Sequence, residues 1–158
     1  RQGVNLKLET VDLRDFIHSF CQDFRPLAQQ HQVSLDYRLP AQLQHLSLDC
    51  HWFYRALQNL IGNAVQYAQS QVLITLSQNN QTTEIWIEDD GKGIDSDKLA
   101  VVFAPFVKLD VDRSREQGHF GLGLAICQKV VHWHKGSIKA EQGKRLSGAC
   151  FHISLPNN

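Results

Sequence analysis

Asp89 and Asp90 stand directly before Gly91-Lys92-Gly93, in the stretch "EIWIEDDGKGIDSDKL" from Glu84 to Leu99. Two adjacent carboxylates could hold a divalent metal, form an acid/base pair, or accept a hydrogen bond from a ligand. Side chains alternate along a strand, so Ile85, Ile87 and Asp89 share one face while Trp86, Glu88 and Asp90 share the other. Opposite directions argue against a shared metal or a two-carboxylate dyad. Acids do not recur at alternate positions with glycine sixth, so a calcium loop does not fit either. Asp89 points with the apolar residues, and a carboxylate at the rim of a buried pocket needs a donor. The exocyclic amine of a purine is one such donor, and Gly91 and Gly93 would let a flat ligand approach the backbone. Asp90 reads as a turn or rim residue. An acidic turn closing a strand, with no ligand, is the plain alternative.

A second group lies on the helix-like segment "CHWFYRALQNLIGNAVQYAQ". Asn59, Asn63 and Tyr67 are spaced i, i+4, i+8 and line one edge, while Leu57, Leu60, Ile61, Ala64 and Ala68 form the packed side. An amide oxygen can bind Mg²⁺ and an amide N–H can meet phosphate. A solvated helix edge that happens to carry Asn is the alternative. A third group is "GHFGLGL", Gly118 to Leu124, where Gly121 and Gly123 open a helix whose N-terminal N–H groups could cradle phosphate. Alone it is weak, being neither a Walker A loop nor a strand-first dinucleotide fingerprint.

These groups need a scaffold. "VDLRDFIHSFCQDFRPLAQQHQV" predicts a helix capped by Asp12, with Leu13, Phe16, Ile17, Phe20, Phe24 and Leu27 on one stripe and Pro26 as a kink or break. "SLDYRLP" alternates as a strand, and Asp49 is placed to cap the helix bearing the asparagines. "VLITL" and "TEIWIE" predict two strands, "SDKLAVVF" a short helix capped by Ser96 or Asp97, and "FGLGLAICQKVVHWH" a helix left at Gly136. "SIKAE" and "ACFHISL" close the chain as strands, and residues 1 to 11 read as a connector. Every strand has one apolar and one polar face. The expected architecture is a two-layer α/β sandwich: a mixed, mostly antiparallel sheet with helices on one face and water on the other.

With 158 residues and zero formal net charge, the chain is one domain's length and lacks the basic excess of a duplex nucleic-acid groove. No apolar run approaches spanning length, and no signal peptide is visible. The first residue is Arg and there is no Met, which suggests a piece of a longer protein. Cys21, Cys50, Cys127 and Cys150 are far apart and read as reduced, mostly buried thiols of a cytosolic compartment. His132 and His134 are two residues apart, which does not put them on one helix face, so they read as helix-end residues rather than a metal site.

Order and spacing together resemble the ATP-binding domain of sensor histidine kinases, the Bergerat-fold family that also holds gyrase B, Hsp90 and MutL. "NLIGNAVQYA" looks like its N box, "EDDGKGI" and "GHFGLGLAI" its two glycine boxes, "FAPF" its F box, and "SGACFHISLP" its closing strand. The wording is most like the OmpR-linked sensors such as RstB and EnvZ. The resemblance implies that ATP and Mg²⁺ are the cofactors. Asp89 would bond the adenine amino group, Tyr67 would lie along adenine or ribose, and Gly91, Gly93 and Ile94 would shape the base pocket. Asn63 would ligate Mg²⁺ with Asn59 beside it, and both Asn59 and Lys108 would serve catalysis, Lys108 reaching the γ-phosphate. Gly121, Leu122, Gly123 and Leu124 would meet phosphate, with Arg115 or Arg113 in support. Residues 104 to 119 would be the ATP lid, anchored by Phe103 and Phe106.

Departures matter as well. Gln66 stands where relatives often carry Lys or Arg toward phosphate, and His119 and Phe120 occupy places that are often small. Superfamily hydrolases place a general-base Glu at the position of Asn59, and an amide has no basic group near neutral pH. This favours phosphotransfer to a protein. No histidine here has the family's acceptor setting, so the acceptor is expected on an upstream dimerisation domain joined through residues 1 to 10, with residues 11 to 158 as the ATP-binding domain. Expected partners are that domain and a response regulator, not nucleic acid and not the membrane directly. The expected place is the cytoplasmic side of a bacterial inner-membrane sensor. A degenerate module that binds a protein and little nucleotide is the alternative, motivated by Gln66, His119 and Phe120.

Overall fold

The computed structural model describes residues 5–99, 102–103 and 122–157. In chain order the elements are β1 (Glu9–Val11), α1 (Leu13–Gln30), β2 (Ser34–Arg38), β3 (Leu46–Leu48), α2 (Cys50–Tyr67), β4 (Gln71–Gln78), β5 (Thr82–Asp89), a 3₁₀ turn (Ser96–Lys98), α3 (Leu122–Trp133), β6 (Ser137–Gln142) and β7 (Ala149–Pro156). Five strands form one sheet in the order β2-β4-β5-β7-β6, parallel only between β2 and β4. The helices contact this sheet through β2, β4, β5 and β6. The two-layer α/β sandwich is the observed architecture.

Local chemistry sets the helix starts. The Asp12 side chain accepts from the backbone N–H of Arg14 and Asp15, capping α1. Asp49 caps α2 by accepting from Trp52 N and takes a second N–H from Lys7. Pro26 neither ends nor breaks α1, which continues to Gln30. Burial of Leu13, Ile17, Phe20 and Ala28, with Phe24 stacked on Phe20 at 5.4 Å, outweighs the one backbone bond that a proline removes. Leu27, expected on the stripe, is 41% exposed. Val72, Ile74 and Leu76 of β4, Ile85 and Ile87 of β5, and Phe151, Ile153 and Leu155 of β7 face Phe53, Leu57, Leu60 and Ile61 of α2 in one core.

Three expectations change. Residues 9–11 are not connector: β1 pairs antiparallel with β3, whose three residues are too short to show a period. The 3₁₀ turn is preceded by Asp95 rather than capped by Ser96 or Asp97, and no side chain bonds its end. The outer sheet face is not simply wet, because Leu73 and Glu88 are buried there. On that face Trp86 stacks on His152 at 4.7 Å, and the Arg145 guanidinium lies 4.9 Å over Trp86. All four cysteines are free thiols, Cys50 half-buried and the others buried. No helix among the described residues is long and apolar enough to cross a membrane.

Candidate active site

The ends of α2 and β5 meet at a recess whose empty space, open mouth included, is about 340 Å³. Asn63, Tyr67, Asp89, Gly93 and Ile94 line it, together with Lys92 and Ala149, which the sequence does not single out. Lys92 is a turn residue between two glycines, and Ala149 lies sixty residues from Asp89, so neither carries a local signal.

Asp89 is buried on the helical side of the sheet. Its Oδ1 accepts from Gly91 N at 2.8 Å and, at longer range, from Ala149 N at 3.4 Å. Asp90 has a separate task. Its carboxylate accepts from the backbone N–H groups of Gln69, Ser70 and Gln71 and from the Ser70 hydroxyl, fastening the turn between α2 and β4. Desolvation pushes the Asp90 pKa up, but the donors from Ser70, Gln71 and Gln69 outweigh it and hold it below the usual range. Glu88, on the outer face, is wholly buried and bound to the loop before β7. Three consecutive acids therefore serve three different places.

The two glycines differ in purpose. A Cβ on Gly91 would lie 2.1 Å from the Tyr67 carbonyl oxygen, so this glycine lets β5 approach the last turn of α2. The close neighbour there is the protein's own backbone. Gly93 takes φ +84° and lines the recess.

Asn59 lies one turn before Asn63 on the same edge. It meets the first turn of α3: a Cβ built on Gly123 would sit 3.6 Å from Asn59 Cγ. The structure thus brings the asparagine edge, Asp89 and the start of α3 to one end of the molecule. Leu124 is buried in the core. Leu122 begins α3. Lys108, Arg113, Arg115, Phe106, His119, Phe120 and Gly121 lie outside the described residues. Phe103 packs edge-on against Phe151, ring centres 5.9 Å apart.

Gln66 shares this flank, at i+3 from Asn63 and i+7 from Asn59. It is 3% exposed, and among the described residues neither its Nε2 nor its Oε1 has a hydrogen-bond partner. A buried amide left unpaired is costly, so the flank has unmet polar demand. Among the described residues no group of three His, Cys, Asp or Glu could hold a metal. A hard cation here would be shared between the Asn oxygens and a ligand's phosphates, a donor set that suits Mg²⁺.

The pattern of the histidine kinase-, DNA gyrase B- and HSP90-like ATPases matches residues 49–158. The chain belongs to this family and is a catalytic domain of the sensor histidine kinase type. The sensor histidine kinase MtrB of Mycolicibacterium paratuberculosis (strain ATCC BAA-968 / K-10) is 33% identical over 152 residues, 96% of this chain and 27% of the relative. The sensor protein RstB of Escherichia coli (strain K12) is 31% identical over 151 residues, 96% of this chain and 34% of the relative. Among solved structures, full-length ShkA in complex with AMPPNP superposes with a TM-score of 0.84 at 24% identity, covering 98% of this chain and 32% of ShkA. The chain thus spans about a quarter to a third of the length of these curated relatives.

Proposed function

We propose that this chain binds Mg-ATP at the Asp89 recess and transfers the γ-phosphate to a histidine on a separate dimerisation domain of the same kinase, which then passes it to a response regulator. The observation that carries this is the convergence of Asn63, Tyr67 and Asp89 on one recess, with Asn59, one turn before Asn63, against the first turn of α3. The complex of full-length ShkA with AMPPNP supports the same reading, as does the likeness to the sensor kinases MtrB and RstB.

Asp89 would accept the adenine amino group, with its Oδ1 held by Gly91 N. Tyr67, Gly93 and Ile94 would flank the base and ribose. Asn63, with Asn59 beside it, would hold Mg²⁺, which spreads negative charge on the phosphates. The N–H groups at Gly121, Leu122, Gly123 and Leu124 would meet phosphate oxygens at the helix end. Lys108 and Arg115 would add cationic charge from the lid. Such catalysis is positional and electrostatic, the acceptor imidazole attacking in line. Asn59 carries no basic group to activate water, which favours transfer over hydrolysis. The parent would be a membrane sensor with this domain on the cytoplasmic side.

Calorimetric titration of Asp89→Ala and Asn63→Ala tests the site. Both are expected to stay folded and lose Mg-ATP binding; unchanged affinity would sink the assignment. Transfer of label from [γ-³²P]ATP to a dimerisation domain tests the reaction, and no label on its histidine overturns it.

A further inference from the structure

We infer that Glu88 is a positioning residue for Asp89, acting from the opposite face of the sheet through the loop between β6 and β7. The inference rests on the reading of Asp89 as the adenine acceptor. Glu88 alternates outward from Asp89, yet its side chain has no exposure. An ionised carboxylate tolerates such burial only when its oxygens are satisfied. Oε1 accepts from the backbone N–H of Lys144 at 3.0 Å, Arg145 at 3.0 Å and Leu146 at 3.2 Å. Oε2 accepts from Arg145 Nη1 at 2.9 Å. One side chain therefore gathers three successive amides and a guanidinium, and so fixes where the loop lies over the sheet.

The same loop returns to Asp89. Gly143 N donates to Gly148 O at 2.7 Å, and Gly148 N donates to the backbone oxygen of Asp89 at 3.0 Å. Ala149 N then points at Asp89 Oδ1. Contact is close enough that a Cβ on Gly148 would fall 2.2 Å from Asp89 Oδ1 and 2.6 Å from Gly91 N. At the end of β6, just before the loop, Gln142 Nε2 donates to Ile94 O at 2.7 Å, reaching a second wall of the recess. Displacing the loop would change the donors and steric limits on Asp89 Oδ1. Glu88 would touch no part of the nucleotide itself.

A merely structural Glu88 predicts lower stability with purine reading intact; a positioning Glu88 predicts altered reading in the folded protein. The first measurement is the ratio of GDP to ADP dissociation constants, by calorimetry. Glu88→Ala is expected to shrink the wild-type preference for ADP by about tenfold, since adenine reading relies on a placed hydrogen-bond acceptor. Glu88→Gln keeps an oxygen for the three amides and is expected to recover most of it. The second measurement needs no nucleotide. Amide exchange at Gly91, whose N–H bonds Asp89 Oδ1, is expected to accelerate in Glu88→Ala by more than the loss of global stability accounts for, and not in Glu88→Gln. A folded Glu88→Ala with no such excess in Gly91 exchange overturns the inference. So does an unchanged ratio in a wild type that prefers ADP. A wild type with no purine preference would defeat the adenine reading instead, and the exchange result would still decide for or against Glu88. If Glu88→Ala fails to fold, Arg145→Ala, which removes the partly exposed partner of Oε2 together with its contact over Trp86 and leaves the three amides on Oε1, takes its place under the same criteria, with a smaller expected shift.

Discussion

The backbone N–H of Asp49 donates to Nε2 of His134 at 2.9 Å, joining the N-cap of α2 to the residue just past α3. Nδ1 of the same ring lies 2.8 Å from the Val130 carbonyl, which can only accept. The network therefore assigns a neutral imidazole with its proton on Nδ1. Because α2 carries Asn59 and α3 carries Gly123, this bond fixes one end of the helix pair whose other end forms the candidate phosphate site. His134→Ala would strand the buried N–H of Asp49 and remove a ring packed on Phe53. The expected loss is about 2 kcal/mol, read from urea unfolding.

Asp89 and Asp90 are expected to separate cleanly. Asp90→Ala releases the turn at Gln69, Ser70 and Gln71 and should cost about 2 kcal/mol of stability, because bonds to a charged acceptor are lost. Its nucleotide affinity at a temperature where it is folded should stay near wild type. Asp89→Asn should show the reverse, a small change in melting temperature and a large loss of affinity. Thermal melts beside calorimetry check both.

Gln66→Leu is expected to move stability and binding in opposite directions. It removes an amide that is buried without a partner among the described residues, so the nucleotide-free protein should gain about 1 kcal/mol. ATP affinity should fall if that amide meets phosphate, while adenosine affinity should not. Melting with and without Mg-ATP separates the two effects.

Acid should unfold the protein through particular carboxylates. Desolvation works against them, but donors hold the folded pKa values of Glu88 and Asp90 below their ordinary ones, by Leu146, Arg145 and Lys144 for Glu88 and by Ser70, Gln71 and Gln69 for Asp90. A depressed folded pKa contributes stability that is full above the unfolded value and lost as pH falls through the folded one. Stability should therefore be level from neutral pH to about 5 and fall below about 4, where unfolded carboxylates begin to bind protons. Glu88→Gln should flatten that fall, measured by urea unfolding across the acid range.

Alternation is enough to find β4, β5 and β7 and to separate Asp89 from Asp90, because each strand packs one face against a continuous core. Asp12 and Asp49 are legible as caps for a local reason, since an Asx side chain bonds amides only two or three residues on. What escapes the sequence depends on distant partners. β1 and β3 are strands only because they find each other, and Ala149 reaches the recess only through pairing of β7 with β5. Glu88 looks solvated by pattern because alternation cannot register a loop folding back over the outer face. At Gly91 the sequence does not reveal the neighbour the fold brings there: a side chain would strike Tyr67 O, at the end of α2.

The strand order also sets a sequence of events. The β4–β5 and β6–β7 pairs are hairpins, closed by contacts local in the chain, and such hairpins form within microseconds. The β5–β7 pairing joins them across a separation of sixty residues at Asp89 and Ala149. Distant pairings of this kind are slow because the chain between them must be ordered first. Asp89 thus gains its second wall only through that distant pairing, and a chain in which β7 has not docked on β5 lacks the recess at Asp89, whatever helices and hairpins it holds.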